Sequence, residues 1–252
     1  FPRASDPRSN LDARARAGRM VCESGPVAAL ALVLVVLVAH NLVGNLVLPP
    51  ALYVPVNLTV AAVLLGIARA SGISWAALGL RRSSIGRGAA LGGAAFLVVA
   101  FALVLAALVP ATRPLFADQR VGRVTGAAVA YQALVRIPLG TVVLEEVAFR
   151  GVLLALLRRA ASTRAAAAWS SALFGLWHVV PTVEALRANR LVPSAPAITA
   201  AVVATGAAGA VFCWLRLRSG SLVAPALAHV ATNSVALVIA ASVLRSTSGP
   251  SP

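Results

Sequence analysis

The sequence predicts an all-α fold: a polytopic transmembrane helical bundle of about seven spans. Three observations carry this. Of 252 residues, 60% are hydrophobic and only 12% charged, whereas a soluble domain has roughly 25% charged residues. The apolar residues fall in runs of about 20, the length that crosses a hydrocarbon core as helix. All 22 basic residues are arginine, and most lie in the short segments between those runs.

Residues 1–26 form a polar, Arg-rich N-terminal tail. Residues 1–19 hold five arginines and precede Met20, the single methionine. They read either as a disordered tail or as sequence ahead of a start at Met20. The first span, 27–48, is longer than the 7–15-residue core of a signal peptide and reads as a retained helix. Pro49-Pro50 ends it, because proline lacks a backbone donor and disfavours helix at the residue before it. Further spans are expected at 51–70, 88–109, 124–144, 165–181, 196–215 and 222–244. Residues 145–157 extend the fourth span towards Arg158-Arg159. The chain thus divides into motif-free transmembrane helices at 27–123, a motif-bearing region at 124–244, and a Ser/Pro-rich tail at 245–252 expected to be disordered.

The net charge of +15 follows from arginine alone, in a composition rich in Ala, Gly and Val that points to a GC-rich bacterial genome. The arginines flank apolar spans rather than forming a nucleic-acid-binding face, so nucleic acid is excluded as a partner. With the N-terminus inside, the predicted cytoplasmic segments hold 14 arginines and the outer ones six. Positive loops stay inside, so the layout predicts a multi-pass plasma-membrane protein with a cytoplasmic N-terminus. Cys22 lies before the first span and Cys213 within the sixth, which argues against a disulfide. Asn57-Leu58-Thr59 fits a glycosylation sequon but falls inside a span.

Only seven residues are acidic, and two of them, Glu145 and Glu146, are adjacent in apolar surroundings. A charge at the centre of a bilayer costs at least about 2.5 kcal/mol on insertion scales. Glu146 and Arg150 are four apart and can pair on one helix face. Glu145 lies about 100° around the helix, free to face a cavity as a base. The plain alternative is a helix end at the interface with snorkelling charges. Phe174 and His178 also share a face. His178 could orient or deprotonate a water or bind a metal, or it could be an interfacial residue beside Trp177. His229 and Asn233 share a face of the last span. They could donate to the oxyanion of a tetrahedral intermediate or simply hydrogen-bond two helices together. His40, Asn41 and Asn45 in the first span read as bundle contacts, and Arg136 as a snorkelling or paired residue. The chain has no His-Glu-x-x-His, no Gly-x-Gly-Asp, no Gly-x-Ser-Gly turn and no P-loop. A transporter, with Glu145 and the histidines as a proton relay, would be expected to show inverted repeats, and none is visible.

Glu145-Glu146-x-x-x-Arg150, then Phe174-x-x-x-His178, then His229-x-x-x-Asn233 resembles the three motifs of the CPBP intramembrane proteases, the group of type II CAAX prenyl endopeptidases and bacterial Abi-type proteins. Phe149-Arg150-Gly151 and Ser219-Gly220-Ser221-Leu222 agree with it, and the likeness covers roughly residues 124–240. The resemblance implies a helical bundle with a conical cavity open to the cytoplasmic side. It implies Glu145 as general base assisted by His178, His229 and Asn233 as oxyanion donors, and Glu146 and Arg150 as orienting residues, with Phe174 in support. It implies an intramembrane endopeptidase acting on membrane-associated peptides or proteins, with no obligatory cofactor. If a metal such as zinc is present, Glu145, His178 and His229 are the expected ligands. A non-catalytic bacteriocin-immunity or peptide-binding protein on the same fold is the alternative.

Overall fold

A computed structural model describes the backbone of residues 7–121 and 124–247, with side chains described from residue 27 to 246 within those ranges. No strand occurs among the described residues.

Helix α1 runs Pro7–Leu46 and α2 runs Tyr53–Ala70, joined through a 3₁₀ turn at Pro50–Leu52. Helix α3, Ile85–Leu108, follows. A long helical run then passes through the middle of the sequence. It comprises α4 (Gly126–Tyr131), a π segment (Gln132–Val142), α5 (Val143–Glu145), a second π segment (Glu146–Leu153) and α6 (Leu154–Ala160). Thr125 caps its start by accepting a hydrogen bond from the Ala128 N–H. Pro138 lies inside the first π segment. Its missing N–H and its ring exclude a regular α-turn there, and a widened turn absorbs the misfit.

Helix α7 spans Thr163–Trp177, α8 Val179–Ala188 and α9 Ala195–Ser219. The last traverse is α10 (Val223–Val230), a π segment (Ala231–Val235) and α11 (Ala236–Thr247).

Among the described residues, five helical stretches are long and apolar enough to cross a membrane: Val27–Leu46, Pro50–Ala70, Arg82–Leu108, Ala195–Ser219 and Val223–Ser246. Five of the seven expected spans meet this measure. The other two expected spans are helical but differently built. Residues 124–144 belong to the central run of α and π segments, which continues to Ala160. Residues 165–181 break at His178, leaving α7 with only 15 residues. The tail expected to be disordered from 245 is helical to Thr247, and residues 248–252 lie outside the described residues.

Two sets of loops gather at opposite ends of the bundle. At one end, Arg159 donates to the Ser71 carbonyl (2.6 Å), Arg216 to the Ala77 carbonyl (2.8 Å), and the Leu222 N–H to the Gly79 carbonyl (3.0 Å). Gly79 has φ +81°, and a Cβ there would fall 2.2 Å from the Arg216 side chain, so this turn requires glycine. At the other end, Arg113 bonds Ser246 (2.8 Å), Arg245 bonds the Val124 carbonyl (3.4 Å), and Asn189 bonds Asp118 (3.1 Å).

Candidate active site

The second π segment, Glu146–Leu153, is buried at every residue. Among lipid-facing helices the only place for two carboxylates is the bundle interior, and there each needs a partner. Glu146 is 2% exposed and Arg150 0%. The Arg150 guanidinium donates to Glu146 Oε1 at 3.1 Å, the i,i+4 pair expected from their spacing. Arg150 Nε and its second terminal nitrogen have no hydrogen-bond partner. Its guanidinium carbon instead lies 3.9 Å from the Phe174 ring centroid and 4.9 Å from that of Phe212. The desolvated cation is thus held by one carboxylate and by aromatic faces.

The same Glu146 oxygen lies 2.8 Å from His229 Nδ1. A carboxylate oxygen accepts, so Nδ1 carries the proton and donates. His229 Nε2 then faces Asn233, whose Nδ2 is 3.2 Å away, and Glu145 Oε2 at 3.6 Å. The imidazole is clamped by a stack on Phe212 (5.0 Å) and an edge contact with Phe174 (5.9 Å). Glu145 has a different environment. The Trp177 indole N–H donates to its Oε1 at 3.1 Å, while its Oε2 is buried without a hydrogen-bond partner.

His178 sits at the break between α7 and α8, with φ −85° and ψ 0°. The break has a cause. Pro181 has no N–H to give to the Trp177 carbonyl one turn back. That carbonyl instead accepts from Asn41 Nδ2 on α1 at 3.0 Å. His178 Nδ1 is 2.8 Å from the Phe174 carbonyl, so it donates there and Nε2 is left as the acceptor. Its ring meets Phe174 edge-on at 4.6 Å. No hydrogen bond or ion pair joins His178 to Glu145 among the described residues.

Residues 127–235 match the family model for type II CAAX prenyl endopeptidase Rce1-like proteins. This segment is an Rce1-like domain. It spans every residue of the three motifs, from Glu145 to Asn233. No curated protein and no solved structure matches the chain. The Rce1-like family is one of membrane proteases, and the several apolar helices of this chain fit a multi-pass membrane protein.

The structure joins Glu145, Glu146, Arg150, Phe174, His229 and Asn233 of the Rce1-like domain in one network, with His178 attached through Phe174. It also supplies a member that sequence reasoning passed over. Trp177 was visible only as a neighbour of His178, yet an indole N–H inside a bilayer must find an acceptor, and that need was the available signal. His40 stacks on Trp177 at 6.3 Å, and Asn45 bonds back to the Asn41 carbonyl in its own helix at 2.8 Å. Arg136 lies over the Tyr53 ring at 3.9 Å.

Metal ligation has its own geometric requirement. Among the described residues, no three His, Cys, Asp or Glu side chains converge as a metal-binding group. His178 donates through Nδ1 to a carbonyl and His229 through Nδ1 to Glu146, which leaves Nε2 of each ring facing the site.

A cavity of about 620 Å³ reaches this network at Thr232 and Asn233. Its lining also includes Gln132, Arg136, Leu115, Phe116, Asp118 and Arg120.

Proposed function

We propose that this chain is an intramembrane endopeptidase that hydrolyses peptide bonds of membrane-associated peptides or proteins without an obligatory metal. The observation that carries this reading is the unequal treatment of the two carboxylates. Glu146 Oε1 is held by both Arg150 and His229, whereas Glu145 has no arginine partner; each carboxylate keeps a buried Oε2 without a hydrogen-bond partner, and that of Glu145 lies 3.6 Å from His229 Nε2. A free carboxylate oxygen beside a fixed imidazole suits a general base.

In the mechanism, a water bound between Glu145 and His178 Nε2 attacks the carbonyl carbon of the scissile bond. Its proton passes to Glu145. The carbonyl oxygen becomes an oxyanion, which accepts hydrogen bonds from Asn233 Nδ2 and from His229 Nε2–H in its doubly protonated form. Glu146 steadies that form through Nδ1, as a buried carboxylate orients the imidazole in hydrolytic triads. Glu145 then returns the proton to the leaving nitrogen as the C–N bond breaks. Arg150 fixes Glu146, and Phe174 and Phe212 fix Arg150 and His229.

The test compares wild type with Glu145→Gln, His229→Ala and Asn233→Ala at equal membrane levels, using cleavage of membrane-tethered reporter peptides. Loss of the base is expected to lower turnover by about 10²–10⁴. Loss of either donor is expected to lower it by about 10²–10³. Chelators are expected to leave activity intact. Full activity in Glu145→Gln would leave the chain as a binding protein on a protease fold, the bacteriocin-immunity or peptide-binding alternative.

A further inference from the structure

We infer that the arginine-lined recess beside the ends of α2 and α6 binds the phosphate of an anionic phospholipid headgroup. The recess contains none of the site residues, and it serves a protease or a binding protein alike.

Guanidinium groups converge on the loop that follows α2. Arg69 donates to the Ile73 carbonyl, Arg159 to the Ser71 carbonyl (2.6 Å) and Arg216 to the Ala77 carbonyl (2.8 Å). Three cations, from α2, α6 and α9, are thus pinned on neutral oxygens of residues 71–77. A fourth, Arg158, donates through Nε to the Thr163 hydroxyl (3.3 Å) and lies near enough to Arg216 for the two charges to repel. Arg216 is 4% exposed, and its Nε has no hydrogen-bond partner. The carboxylates are elsewhere. Glu145 and Glu146 are in the core, while Asp118 and Glu184 pair with Arg120 and Arg187 at the opposite end. Among the described residues, none of the four converging arginines has a carboxylate partner. Four cations around one loop set up a positive field that a bound anion neutralises.

A recess of about 300 Å³ lies at this loop, lined by Gly72, Ser74, Ala155, Arg158 and Arg159. Arg158 and Arg159 each give one donor to a neutral oxygen, which leaves the rest of both guanidinium forks for phosphate oxygens. The surroundings identify the source of that phosphate. Trp75, on the same loop, is 49% exposed and carries Arg69 over its ring at 5.0 Å, and Leu80 and Ile85 beyond it are exposed as well. A tryptophan at the end of a span sits at headgroup level, and basic pockets between spans take lipid headgroups. The loop ends at Gly79, whose carbonyl accepts from the Leu222 N–H just before α10 (3.0 Å). A headgroup held here braces the ends of α2, α6 and α9 against the start of the last traverse.

The experiment is native mass spectrometry of the full chain in detergent, titrated with phosphatidylglycerol, phosphatidylcholine or inorganic phosphate. Arg158→Gln/Arg159→Gln strips the recess. Arg187→Gln/Arg190→Gln removes two cations at the opposite end. Wild type and the second variant are expected to retain phosphatidylglycerol equally, and in preference to phosphatidylcholine. Arg158→Gln/Arg159→Gln is expected to hold it roughly thirtyfold less tightly, the combined effect of two basic residues near a lipid surface. Arg159 also ties two elements together, so Ser74→Asp tests the recess with every arginine in place. Aspartate can still accept from the Ala77 N–H, as Ser74 Oγ does at 3.1 Å, while adding a counter-charge. It is expected to weaken phosphatidylglycerol binding to a similar degree. Equal retention of the two lipids, equal loss in both double variants, or undiminished binding in Ser74→Asp overturns the proposal. Inorganic phosphate that binds wild type as tightly as phosphatidylglycerol does overturns the lipid as its ligand and leaves a site for free anions. Binding is read without cleavage, so failure here and failure of the protease reading are separate results.

Discussion

Helix α3 and the segment Glu146–Leu153 reverse the arrangement familiar from soluble proteins. Of the 24 residues of α3, most of them apolar, only Gly88 and Gly92 are buried. Leu97, Val98 and Phe101 stand exposed along it. In Glu146–Leu153 every residue is buried, including a glutamate and an arginine. In a bilayer the surroundings are as apolar as leucine, so hydrophobic burial no longer separates inside from outside. What must be hidden is charge, and what must touch another helix is whatever lets backbones approach. The interior of this protein accordingly holds ions, aromatic rings and glycines among its aliphatic side chains.

The sharpest way to break that interior is to remove its buried cation. Arg150→Met leaves the Glu146 carboxylate with His229 as its remaining partner. Removing one member of a buried pair typically costs about 3–5 kcal/mol, so thermal unfolding in detergent is expected to move strongly downward. The double variant Glu146→Gln/Arg150→Met removes both charges and is expected to be less destabilised than Arg150→Met alone. If the double variant is the worse of the two, the pair is not what holds this segment inside.

A smaller effect is expected at Trp177. Trp177→Phe keeps an aromatic ring against Phe149, now 5.6 Å away, and deletes only the N–H that donates to Glu145. A hydrogen bond to a charged group contributes about 1.5–3 kcal/mol. The reporter assay is therefore expected to show kcat/KM roughly ten- to a hundredfold lower, with unfolding temperature little changed. An unaltered rate would detach Trp177 from the orientation of Glu145.

Much of this layout was readable in the sequence, and the unread part has a common physical origin. Apolar runs gave α2, α3, α9 and the apolar part of α1 to within a few residues, because length and composition decide insertion locally. The i,i+4 spacings gave Glu146 with Arg150, Phe174 with His178, and His229 with Asn233, because one turn of helix brings such residues together whatever surrounds them. The contacts between elements were not readable. Trp177 and Glu145 are 32 positions apart, and nothing local pairs an indole with one of two adjacent carboxylates. The break at His178 depends on Pro181, which was in view, but also on Asn41 from α1 taking up the orphaned carbonyl.

The lipid-facing helix offers a paired test within itself. A Cβ on Gly92 would lie 2.8 Å from Ala224 Cα and 2.9 Å from the Ala224 carbonyl oxygen, both backbone atoms of α10, whereas one on the adjacent Gly93 meets nothing within 4 Å. Overpacking typically costs about 1–3 kcal/mol, while alanine is the better helix former by up to about 1 kcal/mol. Gly92→Ala is expected to lower the unfolding temperature in detergent and Gly93→Ala to leave it level or raise it. Equal shifts would mean that α3 does not touch α10 through this face.

The smallest expected effect lies at the rim of the cavity, where charge is again in contact with water. Partial burial acts most strongly on Asp118 and pushes its carboxyl upward, but the side-chain and backbone hydrogen bonds from Arg120, the Asn189 amide and the Arg120 charge together outweigh it and hold the group below the ordinary carboxylate value. A carboxyl with a lowered folded pKa contributes stability above its unfolded value, about 3.9, and loses it as pH falls through the folded value. At neutral pH the rim is therefore docked on α8, and it loosens only in acid. The partners are exposed enough for solvent to screen them, which limits the contribution to less than about 1 kcal/mol. Asp118→Asn at pH 7 is expected to reproduce the acid effect, read as faster hydrogen exchange of residues 115–121 with no change in global unfolding temperature. Unchanged exchange in Asp118→Asn would assign the docking to the bond between the Gln119 N–H and Asn189 Oδ1, 2.8 Å long, and not to the carboxylate.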